Sequence, residues 1–271
     1  FIQFFSGIQD WAGKIDFDYI PSPNHYIRFG ISHIYHTFNT GATQFNEVLA
    51  DTTSIDTIIG TPNVYAQESS AYFEDDWMVT KKLKINYGVH FSNFYVNKTD
   101  YPSIQPRFSS RYLLNENISL KASFAMMQQN IHLLTNSGIG LPTDLWVPAT
   151  NKIKPQKSWI AALGYAQTFK VKNESCELSI EGYYKKMNHI IDYLGGASFL
   201  GTNTDWQNKV EAGEGWSYGA EIMLQKKTGK FSGWIGYTLS WTNRKFPTIN
   251  NGKIFPYKYD RRHDAEIVMS Y

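Results

Sequence analysis

Hydrophobic and polar residues alternate along much of the chain. In residues 11–20, for example, Trp11, Ile15 and Phe17 fall on one face and Lys14 on the other. A period of two residues is typical of β-strands whose two faces meet different surroundings, whereas an amphipathic helix repeats every 3.6 residues. About eleven segments of roughly ten residues show this pattern, and no convincing helix lies between them. The pattern therefore predicts an all-β protein.

The connections between these segments alternate in length. Tight turns such as 80–82 and 172–173 alternate with long, irregular connections near 37–65, 96–103, 128–157, 190–214 and 242–262. The short and long connections alternate without exception, so we expect all short turns at one end of the sheet and all long loops at the other. That layout is typical of an antiparallel, up-and-down outer-membrane barrel, with short periplasmic turns and long extracellular loops. A soluble sandwich or lipocalin-like barrel, with its apolar face turned inward, is the alternative.

Composition favours the membrane interpretation. Only 18% of the 271 residues are charged, whereas 16% are aromatic, and amphipathic rings with few charges suit contact with lipid. The net charge of +2 gives no reason to expect a nucleic-acid partner. Cys176 is the single cysteine, which excludes an intramolecular disulfide and a cysteine-based metal site. The first residues lack a signal peptide, so we expect the true N-terminus of an exported protein to lie upstream.

Catalytic and metal-binding motifs are almost absent. Residues 215–219 read GWSYG, a literal match to the nucleophile elbow of α/β-hydrolases that would make Ser217 a nucleophile. That elbow requires a strand before the serine and a helix after it, whereas this stretch also alternates as a strand. His33 and His36 are three residues apart in a strand, so their side chains point to opposite faces and do not share a metal. We therefore predict no enzyme activity, no metal and no cofactor.

Several motifs resemble those of TonB-dependent outer-membrane receptors. The hairpin 72–89, which reads YFEDDW and then TKKLKINYGV, resembles a recurrent hairpin of that family, and IQPRF at 104–108 resembles the next one. The stretches 141–146, 233–240 and 259–264 resemble the later barrel of a branch that carries a carboxypeptidase-regulatory-like N-terminal domain. His90 departs from the arginine found in many relatives.

The resemblance implies a plugged barrel of about 22 strands that imports a scarce ligand with energy from the TonB complex. Residues 1–271 are then expected to be part of a single barrel domain, about 11 of its strands, without the plug. The ligand class stays open between siderophore, glycan, peptide and cofactor. Expected partners are outer-membrane lipid, the TonB complex acting through the plug, and a surface lipoprotein or larger envelope complex. A structural or scaffolding barrel is the alternative function, and a serine hydrolase using Ser217 a further one.

Ligand contacts are expected in the long extracellular loops. Aromatic residues there can stack on a ligand, and charged residues can bind its polar groups. The predicted ligand-binding residues are Asp144, Trp146, Trp206, Tyr257, Arg261 and Arg262.

Overall fold

The computed structural model describes the backbone of residues 2–49, 53–60, 63–135, 144–194 and 206–271, and the side chains of 7–39, 63–134, 145–194 and 206–271. Nearly all of this part of the chain is strand, and its helical structure consists of two 3-10 turns, Trp206–Asn208 and Ile249–Gly252. No helix within the described ranges is long and apolar enough to cross a membrane. The strands are β1 (Ile2–Ser22), β2 (His25–Leu49), β3 (Thr53–Gly60), β4 (Val64–Met78), β5 (Leu83–Val96), β6 (Thr99–Asn115), β7 (Ile118–Gln129), β8 (Ile131–Thr135), β9 (Asp144–Pro148), β10 (Gln156–Val171), β11 (Glu174–Tyr193), β12 (Val210–Lys226), β13 (Ser232–Lys245), β14 (Phe255–Pro256) and β15 (His263–Ser270).

Thirteen of these strands form one antiparallel sheet. Its order is β1-β2-β4-β5-β6-β7-β10-β11-β12-β13-β14, with β15 also paired to β13 and β3 paired to β2, while β8 and β9 form a separate two-stranded sheet. Apart from the short β3 and β14, eleven described strands make up the wall, and neighbours in sequence are neighbours in the sheet. The predicted all-β, up-and-down architecture, with about half of a 22-stranded barrel, is confirmed.

The two faces of the wall differ as the alternation predicts. One face, called the outward face below, exposes large apolar side chains, including Trp11 at 69%, Ile15 at 55% and Phe17 at 52%. The opposite face carries the polar partners, such as the ion pair between Lys14 and Asp16 at 3.0 Å. An exposed apolar surface of this extent indicates contact with lipid rather than with water.

The predicted strict alternation of short and long connections is wrong at one point. The connection expected near 96–103 is the two-residue turn Asn97–Lys98, because β5 extends to Val96 and β6 begins at Thr99. Both turn residues have positive φ, 47° and 62°, as in the hairpin turns that match the right-handed twist of the strands. The sequence lacks the glycine that usually marks such a turn, which is why it was missed.

The prediction of an irregular connection over 37–65 is also wrong. There β2 continues to Leu49 and is paired with β3, so the two strands form a hairpin that rises beyond the rest of the wall. This region is rich in threonine, which favours strands without producing apolar alternation. A strand that lies beyond the lipid needs no apolar face, so the periodicity gives no signal there.

The hairpin β8–β9 lies across the other face of the wall. β8 contacts β11 at one side, and β9 contacts β1 and β2 at the other, although these strands are separated by several others in the sheet. A single hairpin reaches both only if the wall curves around it. The face opposite the outward face is therefore concave, and the hairpin occupies its end near the long loops.

Candidate functional site

The hairpin β8–β9 packs through one of its two faces against neighbouring loops and strand ends. Leu134 and Leu145 are 2% and 1% exposed, whereas Leu133 and Trp146, paired in the register of the hairpin, are 40% and 42% exposed. One face of the hairpin is thus buried and the other is open. The buried face belongs to an apolar cluster of Leu134, Leu145, Val147, Ile153, Ile191, Trp206 and Val210.

A second apolar cluster lies where the hairpin meets β2 and β5. Phe38 and Phe94, each with 0% exposure, pack there with Ala149, which follows β9 directly. Both rings project from the concave face, Phe94 near the end of β5 and Phe38 midway along β2. Because burying a phenylalanine ring stabilises by several kcal/mol, these two side chains fix the position of the loop that contains the hairpin.

Hydrogen bonds around Thr150 connect strand β6, the loop after β9 and the 3-10 turn Trp206–Asn208. The Tyr101 hydroxyl donates to the carbonyl oxygen of Thr150, and the Thr150 hydroxyl donates to Oε1 of Gln207 at 2.6 Å. The Thr150 hydroxyl oxygen also accepts from the backbone N–H of Ile153 at 3.2 Å. Because Thr150 is buried, these partners satisfy groups that would otherwise lose water without compensation.

A cavity of about 590 Å³ lies between the open face of the hairpin and the concave wall. Amide side chains dominate its polar lining, accompanied by the three charged residues Glu68, Arg107 and Lys185 and by the ring of Trp146. Amides both donate and accept hydrogen bonds, and an indole ring offers an apolar face. The cavity can hold a polar ligand of small-molecule size. Its lining is Ile8, Glu68, Gln105, Arg107, Met127, Gln128, Gln129, Asn130, Ile131, Trp146, Gln156, Ser158 and Lys185.

A buried histidine lies beside this cavity. His36 is 2% exposed, and its Nδ1 lies 2.8 Å from Asp10 Oδ1 while its Nε2 lies 3.8 Å from Glu68 Oε2. His33 is exposed and contacts Ser69 at 2.9 Å, so the prediction that the two histidines point to opposite faces is confirmed. Within the part of the chain that the structure describes, no group of three or more metal-ligating side chains is found.

A smaller cavity of about 130 Å³ lies where the hairpin meets the last loop. Arg244 lines this cavity, with its guanidinium 3.4 Å from the ring centroid of Tyr257 and 3.3 Å from Asp192 Oδ2. His132, on β8, also lines this cavity. Burial lowers the pKa of His132 to about 4, and the nearby His189 acts in the same direction. The imidazole of His132 is therefore neutral at neutral pH.

The structure distributes the predicted ligand-binding residues over several places. Trp146 lines the larger cavity and Tyr257 the smaller one. Trp206 is only 4% exposed within the apolar cluster, so a ligand reaches its ring only if that cluster opens. Asp144 is the first residue of β9, and its side chain lies outside the described ones.

The two arginines lie apart from both cavities. Arg261 is exposed, and its carbonyl oxygen accepts a hydrogen bond from the Ser240 hydroxyl at 3.0 Å. Arg262 lies on the outward face, with its guanidinium 5.0 Å from the ring centroid of Trp241. That both arginines bind a ligand stays a prediction.

Ser217 lies inside β12, with no helix after it. Its hydroxyl is 3.1 Å from the Thr242 hydroxyl on the neighbouring strand β13, on the concave side. Tyr218 points outward and stacks with Tyr184 at 6.3 Å and with Trp241 at 5.4 Å. The strand interpretation of GWSYG is confirmed, and the local geometry of a nucleophile elbow does not exist here.

Sequence reasoning missed the wall residues of the larger cavity. Glu68, Gln105, Arg107 and Lys185 come from three different strands, β4, β6 and β11. Their common signal in the sequence is only a polar residue on an alternating face, which dozens of other positions share. Their proximity depends on the curvature of the wall and on the position of the hairpin.

Comparisons with known proteins agree with this architecture. A sequence profile described as "TonB dependent receptor-like, beta-barrel" matches residues 3–264. No curated protein matches the chain.

Solved structures with a similar fold are outer-membrane receptors and transporters. The ferripyoverdine receptor of the outer membrane of Pseudomonas aeruginosa is 12% identical with a TM-score of 0.63, and the match covers 100% of this chain and 36% of the receptor chain. The ferric-catecholate import receptor Fiu from Escherichia coli K12 is 14% identical with a TM-score of 0.60, covering 97% and 41%. The copper transporter OprC is 12% identical with a TM-score of 0.61, covering 92% and 39%. The chain spans roughly two fifths of the length of each of these structures.

Proposed function

Because the chain belongs to the TonB-dependent receptors, a family of the bacterial outer membrane, we propose that it is part of an active transporter that imports a scarce ligand. In this proposal the ligand enters from the side of the long loops and binds at the larger cavity under the hairpin β8–β9. A plug domain and the TonB complex supply the energy-dependent release, as the family membership suggests. The protein is then a receptor and transporter without enzyme activity.

The cavity itself is the observation that carries this proposal. It lies on the concave face, near the extracellular end, and combines the exposed ring of Trp146 with amide groups such as those of Gln129 and Gln156. Its charged residues are two cations and one carboxylate, so its charge is nearly balanced. Such a lining favours a ligand rich in hydrogen-bonding groups, and it is compatible with a siderophore, a glycan, a peptide or a cofactor.

Growth of a deletion strain tests the proposal. The full-length gene is deleted, and growth is measured with ferric siderophores, glycans, peptides or cofactors as the limiting nutrient. We expect a defect with one class, and we expect the wild-type gene to restore growth. A strain that grows normally with every class contradicts transport and favours the alternative of a scaffolding barrel.

A matched pair of tryptophan variants locates the binding site. Trp146→Ala in the full-length protein should weaken ligand binding by several-fold to about tenfold, because a ring contact contributes roughly 0.5–1.5 kcal/mol. Trp77→Ala is the control, since Trp77 lies near a short turn and stacks on His25 at 5.4 Å. Equal affinity of the Trp146 and Trp77 variants for the ligand would place the binding site elsewhere.

A further inference from the structure

Two side chains that line the smaller cavity each contain a buried polar atom without a partner. Nε2 of His132 and Nε of Arg244 make no hydrogen bond within the part of the chain that the structure describes. The whole side chain of His132 is buried, at 2% exposure. Because a buried polar atom without a partner is destabilising, two of them beside one cavity indicate that a ligand supplies the missing hydrogen bonds.

A hydrogen bond to the backbone decides which proton the imidazole of His132 carries. The ring donates to the carbonyl oxygen of Lys154, and because Nε2 has no partner, the donor is Nδ1. Nε2 of the neutral ring therefore has a lone pair and acts only as an acceptor. The lowered pKa of His132 keeps the ring in this form at neutral pH. A ligand that satisfies Nε2 must bring an O–H or an N–H group.

The guanidinium of Arg244 is held in one orientation beside the same cavity. It stacks on the ring of Tyr257, 3.4 Å from the centroid, and its Nη1 donates to Asp192 Oδ2 at 3.3 Å. A guanidinium that is already ordered loses little freedom when it binds a carboxylate through a charge-assisted hydrogen bond. The charged residues of the lining are the two cations Arg244 and Lys258 and the carboxylate of Asp192. The lining therefore favours an anionic group.

A β-bulge in β11 brings Asp192 to this cavity. The register of β11 shifts between Asn188 and Ile190, so His189 is an extra residue, and its φ of 57° is in the left-handed region. Such a backbone is uncommon for residues other than glycine, and bulges change the direction of the side chains that follow them. The shift exchanges the two faces of the strand, so that Asp192 lies on the same side of the wall as Arg244.

The size of the smaller cavity restricts what it can bind. Its volume of about 130 Å³ is well below the ~300–1,000 Å³ of a site for a drug-sized ligand. It can hold a group of a few heavy atoms, which is either a small acid or the end of a longer molecule. Gln129 and Gln156 line both this cavity and the larger one, so the two cavities are neighbours. A ligand in the larger cavity can therefore place one end group here.

We propose that the smaller cavity binds a carboxylate with an O–H or N–H group on its α carbon, as in an α-hydroxy acid or the C-terminal residue of a peptide. The carboxylate accepts a hydrogen bond from Nε of Arg244, and the O–H or N–H group donates to Nε2 of His132. A plain carboxylate leaves the histidine without a partner, and an alcohol leaves the arginine without one. Binding of a free acid is independent of the proposed transport, whereas binding of an end group of the imported ligand rests on it.

Four small molecules test this proposal on the purified full-length protein in detergent, with affinities measured by saturation-transfer NMR. Lactate contains both groups, propionate lacks the hydroxyl, and lactamide has a neutral amide in place of the carboxylate. We expect lactate to bind about tenfold more tightly than propionate or lactamide, because each of these lacks one of the two hydrogen bonds. N-acetylglycine offers an N–H in place of the hydroxyl. If it binds more tightly than lactate, the bound group is the end of a peptide, and if it binds more weakly, the group is an α-hydroxy acid.

Two variants assign these hydrogen bonds to residues. His132→Phe should abolish the preference for lactate over propionate and leave the affinity for propionate unchanged, because it removes only the acceptor. Arg244→Gln should abolish the preference for lactate over lactamide. His33→Phe and Arg111→Gln are the matched controls, since both residues are exposed and neither lines the cavity, and both variants should bind lactate like the wild type.

Several results would overturn the proposal. Equal affinity of the wild type for lactate and propionate would show that no acceptor binds the hydroxyl, and the absence of binding by all four molecules would show that the cavity takes no acid. Unchanged preferences in both variants would place the acid elsewhere. Should the variants fail to fold, the ranking of the four molecules on the wild type decides the question. A preference for lactate in a protein whose deletion causes no growth defect would contradict transport and support this site.

Discussion

Replacing Phe94 by alanine should release the hairpin β8–β9 from the concave face while leaving the wall intact. The ring of Phe94 is fully buried and packs in the cluster with Phe38 and Ala149, the residue that follows the hairpin. Its strand, β5, is paired along its length with β4 and β6, and those backbone bonds do not depend on the ring. The substitution therefore acts mainly on the loop that covers the concave face.

The expected magnitude follows from the burial of the ring. A fully buried phenylalanine replaced by alanine typically costs ~3–5 kcal/mol. Some of the contacts of Phe94 are with Phe38 and Val96 on the wall, and only those with the loop are lost when the hairpin opens. If about half of this loss of stability comes from contacts with the loop, the free energy of opening the loop decreases by ~2 kcal/mol. This decrease corresponds to a ~30-fold larger population of the open state.

Hydrogen exchange of the full-length protein measures this population. The N–H of Ala149 donates to the carbonyl oxygen of Asn130 at 2.7 Å and is a direct reporter of the closed loop. Peptides covering 145–150 should exchange ~30-fold faster in the variant, with unchanged exchange in β5. Phe91→Ala is the matched control, because Phe91 lies on the same strand but points outward at 48% exposure. Unchanged exchange at 145–150, or the same increase in both variants, would show that Phe94 does not hold the loop.

Two further predictions concern a buried histidine and a glycine of the wall. The pKa of His132 is lowered to about 4, so the closed hairpin holds this imidazole in its neutral form. The stabilisation of the closed hairpin is therefore complete above pH ~6.5 and is lost as the pH falls towards 4. At pH 5 the free energy of opening the hairpin should be lower by about 2 kcal/mol. Hydrogen exchange of 131–135, corrected for its intrinsic pH dependence, should show this trend in the wild type and not in His132→Asn. A Cβ at Gly219 would meet the carbonyl oxygen of Leu239 at 2.6 Å, whereas one at Gly13 would meet nothing within 4 Å. Gly219→Val should therefore lower the temperature at which the folded band disappears on a gel by several degrees or more, and a Gly13→Val protein that is equally affected would refute this explanation.

The wall was predictable because lipid and the concave side impose different chemistry on successive residues. Along β12, Tyr218 and Ile222 point outward while Ser217 points inward. This alternation of apolar and polar residues with a period of two can be recognised in the sequence. The signal fails where the chain leaves the lipid, as in the upper part of β2. It also fails where a turn uses left-handed residues other than glycine, as at Asn97.

The site was less predictable because its members are joined only by tertiary contacts. Trp146 and Trp206 both lie in segments predicted as extracellular loops, and nothing local distinguishes them. The structure exposes Trp146 at 42% beside a cavity and buries Trp206 at 4% in a cluster. The difference arises because residues far apart in sequence, such as Ile191 and Val210, close around the second ring and not around the first.

A short sequence motif does not predict a catalytic site when it lies on a strand of this wall, as GWSYG illustrates. In a nucleophile elbow all five residues cooperate in one turn, whereas on a strand successive residues belong to different environments. Trp216 and Tyr218 lie on the outward face beside Lys186 and Tyr184, and Ser217 contacts Thr242 on the concave side. The positions that the motif treats as variable are the ones that contact the membrane boundary. A motif match on a two-faced strand is therefore informative only if its residues share a face, and those of GWSYG do not.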